Sequence, residues 1–198
     1  MPTEPTDMLI AAAEALAAPL PQTPSGTVLV GYGTEEELIR YAVTPGWAVH
    51  VPGHPGEVRQ VVADAMAREG RAYVHVSARA NSAAHALTGG FELVREGLDG
   101  VVIAVGPTLD PVLRATVGTD LAVLYTATIR PFDEVGLRTA VLAAHHADVV
   151  LVEPCRPGAS ASYVAQTLVH VPHRLLALGG AESMGEEEIA RAVRDFVR

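Results

Sequence analysis

The chain has 198 residues, of which 49% are hydrophobic, enough for a sizeable core in one large domain or two small ones and too apolar for a disordered chain. Its 14 Lys+Arg stand against 23 Asp+Glu, a formal charge of −9 that repels a phosphate backbone, so nucleic acid is not an expected partner. A single cysteine, Cys155, closes no internal disulfide, and no charged segment followed by an apolar stretch opens the sequence, so a cytoplasmic protein is expected. No apolar run reaches the length of a membrane span: even the stretch from Leu121 to Ile129 is broken by Arg130 and Pro131.

In chain order, an Ala-rich helix is expected from about Asp7 to Ala18, with Asp7 as its N-cap and Pro19 ending it. Short apolar runs follow: TVLVG (27–31), WAVHV (47–51), AYVHV (72–76), VVIAV (101–105), LAVLY (121–125), DVVLV (148–152) and HRLLAL (173–178). Such continuous Val/Leu/Ile runs suit strands covered on both faces, and the segments between them carry helix start signals at Asp110-Pro111 and Asp133-Glu134. The alternation predicts an α/β protein of open, mostly parallel sheets with helices on both faces. Residues 77–90, rich in small and polar side chains, interrupt the rhythm before a further possible strand at Phe91. A boundary there divides the chain into a short first domain, 1–85, and a second, 86–198.

Few motifs carry chemistry. Gly31-Tyr32-Gly33 follows a strand as a phosphate-binding turn would, but Glu35, Glu36 and Glu37 compete for the positive end of the next helix, which favours a merely capped helix. Gly106-Pro107-Thr108 sits at the C-terminal edge of a strand, where α/β folds gather ligands, and reads foremost as a tight loop. His145 and His146 are adjacent and, on a helix, would point about 100° apart, so they cannot share a metal. His50, His75 and His173 fall in apolar runs, where local hydrogen bonds are expected to satisfy them, and no metal site is expected. Cys155 has no base near it in sequence and reads as inert. Arg79 emerges just past a buried strand, where its guanidinium either grips a phosphate or carboxylate or forms a structural ion pair.

Taken in order, these segments resemble the transketolase family of thiamine-diphosphate enzymes. Pro45-Gly46, Pro52 to Glu57 and Ser77 to Asn81 are similar to the end of that family's pyrimidine-binding domain. VVIAVG, TATIRPFD (126–133), VLVEPCRPGASASYVAQTL and Leu178-Gly179 are similar to its C-terminal domain, and the resemblance runs over 26–182. It implies a truncated pyrimidine-binding-like domain followed by a transketolase C-terminal-like domain. Of the family's functional residues only Arg79 has a counterpart, the arginine that binds the sugar-phosphate acceptor, although Ala78 stands as an extra residue between it and Ser77.

The departures limit what the resemblance implies. The family's activating glutamate, the aromatics that stack on the thiamine ring and the magnesium site of the diphosphate-binding domain have no counterpart in these residues. The family's N-cap aspartate is replaced in Gly53-His54-Pro55, a weaker cap. The expectation is a transketolase-like subunit, taking part in ketol transfer between sugar phosphates in an intact complex and inactive alone. No cofactor is expected in the isolated chain, and thiamine diphosphate with magnesium only alongside a separate diphosphate-binding subunit. The other reading is a non-catalytic member that kept the fold for dimerisation or small-ligand binding. With a mean hydropathy of +0.25 and Ala-rich helices, a homodimer is expected.

Overall fold

In the computed structural model, residues 5–18, 26–32, 35–180 and 185–197 are described. Two sheets form, each from strands that the apolar runs supply. In the first, β1 (Gly26–Tyr32), β2 (Trp47–His50), β3 (Gly70–Val76) and β7 (Thr128–Arg130) lie in the order β1-β3-β2-β7. In the second, β4 (Glu92–Arg95), β5 (Val101–Val105), β6 (Ala122–Thr126), β8 (Asp148–Glu153) and β9 (Arg174–Gly179) lie in the order β4-β6-β5-β8-β9. Neighbours are parallel except at one edge of each sheet, where β7 runs against β2 and β4 against β6.

Helices cover both faces because the central strands are apolar on both: every residue of β5, β6 and β8 is buried. On one face of the first sheet, α1 (Pro5–Ala17) and α3 (Pro55–Ala67) pack Met8, Ala11, Val58 and Val62 against Val74 and Val76. On the other, Leu38 and Ala42 of α2 (Glu35–Val43) join Val49 and Tyr73. That cluster continues without a break into Ile103, Leu137 of α5 (Glu134–Ala143) and Val164 of α6 (Ala161–Thr167), so one core joins the two sheets. The remaining face of the second sheet is closed by Leu109 and Val112 of α4 (Leu109–Ala115) and Ile189 and Val193 of α7 (Glu186–Phe196).

The expected α/β architecture is therefore present, with particular differences. β7 is not among the apolar runs expected as strands, and it adds an antiparallel edge to the first sheet, although it follows β6 of the second. The first helix starts at Pro5, so Asp7 lies in its first turn and is not the N-cap; Pro19 lies outside the described residues. Asp133 does cap α5, its Oδ1 accepting the Gly136 N–H at 2.8 Å. Asp110 does not cap α4: the cap position is Thr108, and Asp110 lies inside the helix, its Oδ2 accepting the Ser82 N–H at 2.8 Å. His145 and His146 follow the end of α5 and lie outside any helix. The replaced cap works after all, since His54 Nδ1 accepts the Gly56 N–H at 3.1 Å at the start of α3.

Candidate ligand-binding crevice

From β5 the chain goes through α4 to β6 on one side, and then returns through α5 to β8 on the other side of β5. α4 and α6 lie on opposite faces of the sheet, so the loops leaving β5 and β8 part company. A divergence of this kind opens a crevice at the C-terminal ends of the strands, the place where open α/β sheets bind ligands. Here it is lined by Pro107 and Thr108 after β5, Glu153 after Val152 of β8, and Ser77 and Arg79 arriving from β3 of the other sheet. Its volume is about 40 Å³, room for a few waters.

The loops are held by specific contacts. Thr108 Oγ1 is 3.1 Å from both Val105 O and Val152 O, tying the two strand ends together. Gly106 adopts φ +56°, and a Cβ there would strike the Val51 carbonyl, so this turn requires glycine. Asn81, fully buried, joins the sheets: its N–H donates to Gly53 O at 2.7 Å, its Nδ2 to Gly106 O at 3.0 Å, and its Oδ1 accepts the Asp110 N–H at 3.3 Å. The segment from Ser77 to Asn81 is thereby pinned across the crevice mouth.

Arg79 lies three residues beyond the end of β3, exposed at this mouth. Its backbone N–H donates to Ser77 Oγ at 3.2 Å, and its guanidinium makes no hydrogen bond or ion pair among the described residues. The structural ion pair weighed for it is thus not formed there, and the planar fork faces an open crevice. Glu153, 2% exposed, is committed: Oε1 accepts the Ser160 N–H at 2.8 Å and Oε2 the Gly158 N–H at 3.3 Å. Burial raises its carboxyl pKa, against the pull of those donors. Burial, with Glu153 and Glu35 adding to it, pushes the Cys155 thiol up to about 12, which leaves it inert.

The other residues weighed for chemistry find local partners. His50 Nδ1 lies 3.0 Å from Thr128 Oγ1, His75 Nδ1 3.4 Å from Tyr73 Oη, and His173 Nδ1 2.8 Å from Val171 O. No group of three metal-ligating side chains occurs among the described residues, and the glycine turn after β1 falls partly on Gly33 and Thr34, outside them. Sequence reasoning missed Glu57. Its Oε2 accepts from Gly53 N at 2.7 Å and from Tyr125 Oη at 2.5 Å, while Oε1 accepts from His85 N at 2.8 Å. The available signal was its place three residues after the His54 cap, the position of a capping-box glutamate.

No family model matches the sequence. Among proteins, the chain is 43% identical over 173 residues to one of Rhodococcoides fascians called "Uncharacterized 33.6 kDa protein in fasciation locus", which covers 80% of this chain but only 55% of that protein. Among solved structures, a chain called "Split gene transketolase, inactive beta4 tetramer" superimposes with a TM-score of 0.73, covering 98% of this chain and 73% of that one. The fold is a transketolase C-terminal-like fold. At 19% identity the likeness shows the fold alone, and the chain spans about half the length of the curated relative.

Transketolases use thiamine diphosphate, and the residues of the crevice do not fit it. Among the described residues the carboxylate that lines it, Glu153, has both oxygens taken by backbone N–H groups. What the crevice offers is a guanidinium at its mouth, suited to one anionic end of a ligand.

Proposed function

We propose that this chain is a transketolase-like subunit that takes part in ketol transfer between sugar phosphates within a larger assembly and is inactive alone. The observation that carries this reading is the likeness of fold over 98% of the chain to a split-gene transketolase chain. A separate diphosphate-binding polypeptide would bring the part that holds thiamine diphosphate and magnesium, and this chain would pair as a homodimer to meet it. Division of the protein near residue 85 belongs to the same reading. Arg79 would hold the anionic end of the acceptor, because its guanidinium is otherwise uncommitted at the crevice mouth.

The test is to mix the purified chain with a diphosphate-binding transketolase subunit, thiamine diphosphate and magnesium, and to follow ketol transfer. Transfer is expected in the mixture and not with either component alone. Arg79→Ala is expected to raise the KM for the phosphorylated acceptor by about ten- to a hundredfold, as loss of a charge-assisted pair of ~1.5–3 kcal/mol implies. Absence of both transfer and thiamine binding in every mixture overturns the proposal and leaves the second reading, a non-catalytic protein. That reading is favoured by the commitment of the three buried carboxylates among the described residues, Glu57 and Glu153 to hydrogen bonds and Asp148 to Arg174, within the fold.

A further inference from the structure

The first sheet is unevenly roofed. α1 and α3 pack over β1 and β3, and their apolar cluster contains no residue of β2 or β7. In the parallel register Ala48 and His50 stand beside Ala72 and Val74, so their side chains point to the side α3 covers. A groove of about 180 Å³ remains there, room for on the order of ten waters. It shares no residue with the crevice, and its opposite wall is the loop at Leu87 and Thr88.

The floor is small and apolar, from Ala48, Ala65 and Ala72, while the α3 wall carries both signs of charge, Asp64 and Arg68. These two stand four residues apart on or next to one helix, carboxylate first, the arrangement in which such side chains ordinarily pair. Yet no ion pair within 4.0 Å joins them to each other or to any other described residue. Both act on His50, whose pKa is lowered to about 4 first by burial and then by Arg68, with Asp64 opposing. His50 Nδ1 is engaged by Thr128, and the ring makes no other hydrogen bond among the described residues. The groove therefore presents a cation and an anion, both uncommitted, above an apolar floor, with Glu69 on the rim; Arg71 turns its guanidinium over Trp47, 5.2 Å away on the opposite face of the sheet, and adds no charge here.

We infer that this groove binds a small zwitterion of the α-amino acid class, its carboxylate on Arg68, its ammonium on Asp64 and its aliphatic side chain over the alanine floor. A ligand of about nine non-hydrogen atoms matches the room, and an uncommitted cation beside an uncommitted anion favours a neutral molecule with separated charges over a simple anion, which Asp64 and Glu69 repel. The inference stands apart from the proposed function, since it uses neither Arg79 nor any partner subunit.

Calorimetric titration of the full chain with L-leucine tests it, alongside 4-methylpentanoate, which lacks the ammonium, and 3-methylbutylamine, which lacks the carboxylate. L-leucine is expected to bind saturably, and each single-charge analogue at least tenfold more weakly. Arg68→Gln and Asp64→Asn, both on the exposed rim, are expected to weaken L-leucine binding at least tenfold while leaving the circular dichroism spectrum unchanged. No saturable heat at millimolar L-leucine, equal binding of the carboxylate analogue, or indifference to both substitutions overturns it.

Discussion

Glu57 is 1% exposed and accepts hydrogen bonds from three separate stretches of chain: the β2–α3 loop through Gly53, the segment after β3 through His85, and β6 through Tyr125. A buried carboxylate is tolerated only when its oxygens are satisfied in this way, and removing it strands the donors. Burial and the neighbouring Glu57 raise the Tyr125 hydroxyl pKa, which keeps that group a donor. Glu57→Ala is therefore expected to destabilise the chain by about 3 kcal/mol or more, with Glu57→Gln costing less because one acceptor oxygen remains. Urea unfolding of the three proteins measures this order. A loss below roughly 0.5 kcal/mol for the alanine variant, the range of an ordinary surface change, would show that these bonds do not hold the segments together.

At the level of elements, Asp133 does two jobs. Its Oδ1 caps α5 through Gly136 N–H, and its Oδ2 accepts the Phe91 N–H at 3.0 Å, fastening the entry to β4. Asp133→Ala is expected to cost about 2 kcal/mol, roughly 1 for the cap and 1 for the second bond. Faster amide exchange at Gly136 and Phe91 together would be the signature, whereas a change at Gly136 alone would confine the residue to capping. This cap was legible in the sequence because a cap acts on residues two or three further on. The strands under 101–105 and 148–152 were legible because an apolar run covered on both faces announces itself locally. β7 was not, since its strand character comes from pairing with β2, about 80 residues away, and Thr128-Ile129-Arg130 alone has no such signal. Asp110 was misread for a related reason: it has the composition of a cap, but its acceptor is used across the fold by Ser82. The position of Arg79 past a buried strand was legible, while the convergence of β5, β8 and α7 around it required the crossing of chains that only the topology shows.

For the whole molecule, the core that runs from Leu38 and Val49 to Ile103 and Val164 couples the two sheets, so a local change in one is expected to register in a single unfolding transition. Two histidines with shifted pKa values lie in the first sheet. Burial lowers His50 and His75 to about 4; at His75, Glu37 and Glu35 oppose the shift without reversing it. In the unfolded chain each imidazole takes up its proton near pH 6.5, whereas in the folded chain it stays neutral down to about 4. Between those values the unfolded state holds more protons, so stability is full above 6.5 and falls as the solution is acidified. From pH 7.5 to 6 the loss comes to about 0.8 kcal/mol per histidine, ~1.6 together, and this window stays clear of the isoelectric point near 5.3. Glu153, raised by burial, has the opposite sign, because its protonated form is favoured in the fold. Replacing both histidines by glutamine is thus expected to remove the loss or turn it into a slight gain on acidification, read as the urea midpoint at the two pH values. A wild-type midpoint that does not move over this range would mean that both imidazoles accept protons inside the folded sheet, and that the face of β2 and β3 is wetter than their burial implies.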